Sequence, residues 1–244
     1  MCISKDMLIE IVYNAIARSS KSISRKIKND VAERSFYCDI IAGLIHELEK
    51  KNLSNYFIDS EYNRAIGFDG IGKGVGVYNE ENQTIERLEN NTFDIIVHLD
   101  GTGNIKYPEN LIHIEVKKRK NIEGQEKDKQ RLLSTTKFPD KLSTQYLGII
   151  FEPDKFISLY NIYKGKCSER AEQIEKENQL DEIIKINQEI FDKYKVDYSK
   201  TEEWFSNIIA GYQIGAFIDI GENDIIIEYY YSGMQLCERH IVYK

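Results

Sequence analysis

The sequence predicts an α/β protein whose mixed central sheet is flanked by helices, in the order αβββαβ, with a C-terminal helix and strands beyond it. Two observations predict this class. Apolar residues recur at three- and four-residue steps near the N-terminus, which is typical of amphipathic helices. Apolar and polar residues then alternate in "TFDIIVHL" and "NLIHIEVK", and the turn-forming "DGTGN" between them predicts an antiparallel pair of strands.

The first two predicted elements are amphipathic helices. Apolar residues are spaced helically over residues 7–17, and again from Tyr37 to Leu48. At 100° per residue, Glu33 falls on the apolar stripe of the second helix. An acid at this point either faces a site on the core side of the helix or stabilises the first turn through the helix dipole.

The sequence in the middle of the chain predicts strands on either side of a glycine-rich segment. "NYFIDSEYNRA" has the composition of a strand, and residues 67–76 predict a loop or hairpin, because the GK[ST] that completes a phosphate-binding loop does not follow. In residues 110–120, "NLIHIEVKKRK", alternation points Ile112, Ile114 and Val116 to one face. The opposite face receives His113, Glu115 and Lys117, and by itself this pattern is also that of a half-exposed strand.

The remaining elements complete the predicted domain organisation. "GQEKDKQRLLSTT" predicts a short polar helix, "TQYLGIIFEP" and "FISLYNIY" predict strands, and a long charged helix is expected within residues 168–196. The chain closes on strands around "YQIGAFIDI", "DIIIEYYY" and "ERHIVYK". We therefore divide the chain into an N-terminal helical segment (1–30), a core (31–165) and a C-terminal helix with strands packed on that core (166–244).

The charge of the chain argues against a protein that coats nucleic acid electrostatically. The formal net charge is −7, whereas such proteins are usually basic overall or on one face. A local exception is the segment between residues 111 and 141, which contains nine lysines and arginines but only five acidic residues. This run is either a binding patch or the solvated face of a helix.

The sequence predicts a cytoplasmic protein that does not enter a membrane. No segment approaches eighteen consecutive apolar residues, and charges interrupt the N-terminal stretch where a signal peptide would be apolar. The four cysteines are scattered at positions 2, 38, 167 and 237 without a CxxC pair, so we expect reduced thiols and neither a zinc site nor disulfides.

Three residues on neighbouring strands form a candidate site. If Asp94 shares one side of the sheet with Glu115 and Lys117, two carboxylates meet and repel each other unless a cation lies between them. Magnesium prefers oxygen ligands and typically takes one or two carboxylates from a protein. A lysine two residues beyond the second acid can orient an attacking water or stabilise charge that develops on a phosphate.

The order of these segments resembles the PD-(D/E)XK nuclease superfamily, which has a restriction-endonuclease-like fold. The resemblance covers roughly residues 31–151 and is carried by "ERSFYCDIIAGLIHELEKK", "SEYNR", "FDIIVH", "LIHIEVKKRKN" and "DKQRLL". One departure is Phe93, which stands where the family has a proline before the aspartate.

The resemblance implies a Mg²⁺- or Mn²⁺-dependent nuclease that hydrolyses phosphodiester bonds, with DNA as the expected substrate. Its catalytic residues would be Glu33, Asp94, Glu115 and Lys117. The metal would be held by Asp94, Glu115 and the backbone carbonyl of Val116, and water would attack phosphorus in line.

The resemblance also implies nucleic acid as the partner, and the expected contacts are Lys118, Lys120 and Lys129. A homodimer would be natural for cutting both strands of a duplex. The alternative is a catalytically silent protein of the same fold that binds nucleic acid or serves as an interaction subunit, and the acidic net charge favours it. The sequence does not decide between DNA and RNA or between endonuclease and exonuclease action.

Overall fold

The computed structural model describes twelve regular elements. It describes residues 3–62, 72–79, 84–90, 92–99, 108, 110–122, 124–136, 207–209 and 211–243, with the backbone alone at 61–62, 72–79, 84–90 and 207–209. The elements, in chain order, are α1 (Lys5–Lys28), α2 (Arg34–Lys50), β1 (Phe57–Tyr62), β2 (Gly72–Asn79), β3 (Thr84–Asn90), β4 (Phe93–His98), β5 (Asn110–Lys118), α3 (Gln125–Thr136), β6 (Asn207–Ile209), β7 (Ile214–Ile220), β8 (Asp224–Tyr231) and β9 (Met234–Val242).

A mixed sheet of six strands forms the centre of the protein, in the order β1-β4-β5-β7-β8-β9. Neighbouring strands are antiparallel except for β5 and β7, which run parallel from Ile112 opposite Ile214 to Lys118 opposite Ile220. The predicted α/β class and the antiparallel pairing of β4 with β5 are confirmed. A smaller sheet in the order β3-β2-β6 contains the hairpin that begins in the glycine-rich segment.

Helices α1 and α2 cover one face of the six-stranded sheet. Their apolar residues form the main core together with Ile112, Ile114 and Val116 of β5, as the alternation predicts. The two helices cross closely at Gly43, where an added Cβ would lie 2.5 Å from the carbonyl oxygen of Ala15. The crossing therefore requires a residue without a side chain.

Helix α3 packs on the opposite face of the sheet. Its residue Leu132 forms an apolar cluster with Phe217 of β7 and Tyr230 of β8. The helix comes close to β7 because Gly215 has no side chain; a Cβ there would lie 3.0 Å from Leu132 and 3.1 Å from Thr136. The polar side chains of β5 therefore lie beneath a helix.

The C-terminal strands belong to the central sheet. The strand expected after α3, in "TQYLGIIFEP", lies outside the described residues, as do "FISLYNIY" and the helix expected within 168–196. The position beside β5 is taken by β7, whose sequence comes from the segment that we had separated from the core. Segments from both sides of residue 165 thus contribute strands to the same six-stranded sheet.

Among the described residues, no helix has both the length and the apolar character needed to cross a bilayer.

Candidate functional site

The two carboxyl groups predicted to meet do meet beneath α3. Asp94, the second residue of β4, accepts a hydrogen bond at Oδ2 from the backbone N–H of Val116, at 2.8 Å. Its carboxyl group is also close enough to Tyr37 of α2 and to Glu115 of β5 for each to affect its protonation. Glu115 is only 1% exposed. Two acids thus share a largely dry space, and their mutual repulsion is weakly screened there.

Burial is the largest cause that raises the pKa of both acids. Burial, followed by the charge of Glu115, raises the pKa of Asp94 to about 6, although Tyr37 and the N–H of Val116 oppose this rise. Burial raises the pKa of Glu115 to about 7, against the opposing charge of Arg131. Near neutral pH the pair therefore keeps part of a proton unless a cation replaces it. Burial and the neighbouring Asp94 also raise the pKa of the Tyr37 hydroxyl, which keeps it a hydrogen-bond donor.

Lys117 lies at the same place, at the C-terminal end of β5. Its Nζ is 3.2 Å from Oδ2 of Asp128 and 3.8 Å from Oε2 of Glu33. Burial alone would lower the pKa of this amine, but the charges of Asp128 and Glu33 outweigh burial and raise it. Lys117 is therefore a fixed cation that is held between two acids.

Glu33 reaches the site from the turn before α2. It is the N-cap residue of that helix, yet its side chain makes no capping hydrogen bond. Instead, Oε1 accepts hydrogen bonds from the backbone N–H of Lys118 and from Nδ2 of Asn121, both at 3.1 Å. The carboxylate is thus directed to the end of β5, and this geometry differs from an acid that acts only on the helix dipole.

Two further residues of the site, Asp128 and Arg131, were not identified from the sequence, and His113 was expected on this face without an assigned role. Arg131 donates a hydrogen bond from Nη1 to Oε1 of Glu115 at 2.7 Å, and the same nitrogen lies 3.5 Å from Oδ1 of Asp128. His113 interacts with the same Glu115 oxygen through Nε2 at 2.8 Å and with Oγ1 of Thr135 through Nδ1 at 2.9 Å. The polar composition of α3 predicted a solvated helix, and no local pattern indicates that Asp128 and Arg131 face the sheet.

The lysines expected to contact nucleic acid are engaged in ion pairs. Lys118 is 7% exposed, and its Nζ lies 2.9 Å from Oδ1 of Asp30. Lys120 is exposed and bonds to the same Asp30 oxygen. Nζ of Lys129 lies 2.6 Å from Oε1 of Glu228 and also over the ring of Phe217. Lys118 therefore presents little of its side chain to an external phosphate, whereas Lys120 remains accessible.

Arg119, the remaining cation of this basic run, binds the end of β7 and the start of β8. Its Nε and Nη1 donate hydrogen bonds to Asp219 and Asp224, both at 2.7 Å. Each of the four consecutive cations 117–120 thus pairs with at least one acid from another part of the fold.

The donor set suits a hard divalent cation. Four carboxyl groups, those of Glu33, Asp94, Glu115 and Asp128, interact with two cations, Lys117 and Arg131. If all are ionised, two positive charges are lacking, and one Mg²⁺ would supply them. Among the described residues, no three acidic, histidine or cysteine side chains form a ready metal cluster. Magnesium is nevertheless often bound by a protein through only one or two carboxylates.

The comparisons with known proteins add no relative. No family model, curated protein or solved structure matches this chain. The functional interpretation therefore rests on the residues and their geometry.

Proposed function

We propose that this protein is a metal-dependent nuclease of the PD-(D/E)XK type that hydrolyses phosphodiester bonds, with DNA as its substrate. The observation that carries the proposal is that Asp94 binds the backbone N–H of Val116 at 2.8 Å, which brings its carboxyl group to the strand position between Glu115 and Lys117. Acids whose pKa is shifted by burial and by neighbouring charges are found at functional sites more often than elsewhere.

Each residue of the site has its own role in the proposed reaction. Asp94, Glu115 and the backbone carbonyl of Val116 would hold Mg²⁺ or Mn²⁺. When bound, such an ion lowers the pKa of water and offsets charge that develops on phosphorus. The Lys117 amine lies near this acid pair and would orient the attacking water or stabilise the phosphate oxygens. Glu33 fixes that amine from the α2 side.

The proposal is tested by a nicking assay on the purified full chain. We expect cleavage of supercoiled DNA in Mg²⁺ or Mn²⁺ and none in EDTA. Linear duplex, single-stranded DNA and RNA should be assayed in parallel, so that an inactive result on one substrate is informative. Absence of cleavage on all four substrates in either metal would contradict the proposal.

Substitutions locate the activity within the protein. Lys117→Gln should abolish cleavage, because it removes the charge while keeping a polar side chain near the buried Asp128. Asp94→Asn should also abolish cleavage, and it should weaken Mn²⁺ binding measured by calorimetry, because it removes a ligand charge. Lys127→Gln, at an exposed position of α3, is the matched control and should cut like the wild type. If Lys117→Gln cuts as well as the wild type, catalysis does not occur at this site.

A second candidate function is a silent member of this fold that binds nucleic acid or a protein partner. The ion pairs of Lys118, Lys120 and Lys129 compete with phosphate contacts, and together with the net charge of −7 they favour the form of this alternative that binds a protein partner. A wild type that binds Mn²⁺ but cuts none of the four substrates would favour this alternative.

A further inference from the structure

We infer that Asp128 of α3 is a positioning residue of the active site, which holds the Lys117 amine against the acid pair. This inference rests on the proposed function, because it assigns a role within the same reaction. It also adds α3 to the site, to which the sequence had assigned only residues of β4, β5 and the start of α2.

The geometry places Asp128 between the two cations of the site. Its Oδ2 lies 3.2 Å from Nζ of Lys117, and its Oδ1 lies 3.5 Å from Nη1 of Arg131. Arg131 in turn binds Oε1 of Glu115 at 2.7 Å. One carboxylate thus connects the expected catalytic lysine to the guanidinium that fixes an expected metal ligand.

Lys117 needs such a partner because its side chain is intrinsically mobile. A lysine carries its charge at the end of a flexible four-carbon side chain, and its amine adopts one position only if the surroundings hold it there. Glu33 alone holds it weakly, since their charged atoms are 3.8 Å apart. Asp128 supplies the shorter contact, from the opposite side of the cleft.

A purely structural role explains Asp128 less well. The residue is 5% exposed, and burying a carboxylate costs free energy unless its partners compensate. Docking of α3 does not require it, because Leu132 packs in an apolar cluster with β7 and β8, and Lys129 binds Glu228 of β8. The contacts of Asp128 are made with the site.

The kinetic test compares Asp128→Asn with the wild type. We expect kcat to fall on the order of 10- to 100-fold, because a misplaced catalytic group loses the benefit of orientation. KM and the Kd for Mn²⁺, measured by calorimetry, should remain within about twofold of the wild-type values, since Asp128 is not assigned to the substrate or the metal. Glu126→Gln, a carboxylate-to-amide change at an exposed position of the same helix, should leave all three values unchanged.

A second readout does not depend on catalysis. The Lys117 ammonium signal in a nitrogen-15 spectrum should be protected from exchange in the wild type and lost in Asp128→Asn, while Glu126→Gln should retain it. Asp128→Glu keeps the charge and should retain the signal, with a smaller loss of kcat. It also replaces Asp128→Asn if that variant does not fold.

The outcomes separate the inference from the proposed function. The positioning role is overturned if Asp128→Asn has the kcat of the wild type. It is also overturned if the loss of kcat is explained by a loss of Mn²⁺ affinity, or if the Lys117 signal does not change. A wild type that cuts no substrate would overturn the nuclease proposal, and the Lys117 signal alone would then decide whether Asp128 holds the amine.

Discussion

At the scale of single residues, burial of Asp94 has a cost in stability that can be measured. Its pKa of about 6 in the folded protein lies above the ordinary value of 3.8. The folded state therefore binds more protons than the unfolded state between these values, and stability falls as pH rises through this range. Below about pH 4 the carboxyl group is protonated in both states and this cost is absent.

Asp94→Asn should consequently be more stable than the wild type at pH 7.5 in EDTA. The cost of ionising Asp94 in the folded state is on the order of 3 kcal/mol, from which the loss of a hydrogen bond from Tyr37 or Val116 must be subtracted. The gain in Tm should shrink towards zero as pH falls to 4. Glu126→Gln provides the control, with a Tm difference that is small at both pH values. A gain that is the same at pH 4 and pH 7.5 would contradict the assigned cause.

The sequence predicted part of the site because strand alternation is a local property. The pattern that pointed His113, Glu115 and Lys117 to one face needs only the two-residue period of β5, and the contacts of these side chains with α3 and Glu33 agree with it. Asp128 and Arg131 were missed because a buried polar helix face and a solvated one have the same composition. Only the packing of α3 on β5 distinguishes the two.

At the scale of elements, the crossing of α1 and α2 determines how the Glu33 turn meets β5. The helices approach at Gly43, where a Cβ would lie 2.5 Å from the backbone oxygen of Ala15 and 3.0 Å from its Cα. Backbone atoms cannot rotate away as a flexible side chain can. Any larger residue must therefore separate the two helices.

Gly43→Ala should lower the free energy of unfolding by about 1–3 kcal/mol, the usual cost of overpacking. This is opposite to the stabilisation that alanine normally gives over glycine within a helix. Urea denaturation measures the change. Cys38→Ala, at an exposed position of the same helix, should remain within about 0.5 kcal/mol of the wild type. Equal or greater stability of Gly43→Ala would show that the helices can separate without cost.

The pairing of elements was predictable only where the chain connects them closely. The helices α1, α2 and α3 and the hairpin-like pair β4 and β5 follow from local periodicity and an intervening turn. The parallel partner of β5 does not, because β7 begins nearly one hundred residues after β5 ends. Nothing in the apolar sequence of β7 indicates which neighbour it will take.

At the scale of the whole molecule, the six-stranded sheet depends on both ends of the chain. Strand β7 pairs with β5 over seven residue pairs, and its residues Ile214, Ala216 and Ile218 are fully buried in the main core. A fragment of residues 1–165 would expose this core and the edge of β5. We expect it to show no cooperative unfolding transition by circular dichroism, whereas the full chain should show one. A cooperative transition in the fragment would show that residues 1–165 fold without the C-terminal strands.

The ion pairs of the basic run 117–120 also shape how the protein meets a polyanion. Because Asp30, Asp219 and Asp224 neutralise Lys118, Arg119 and Lys120 internally, the run projects little positive potential into solvent. Long-range attraction to a nucleic-acid backbone is correspondingly weak. If the acid pair holds a divalent ion, that ion becomes the principal attractive charge facing the substrate. Under the proposed function, encounter would be governed less by ionic strength than by the supply of divalent metal.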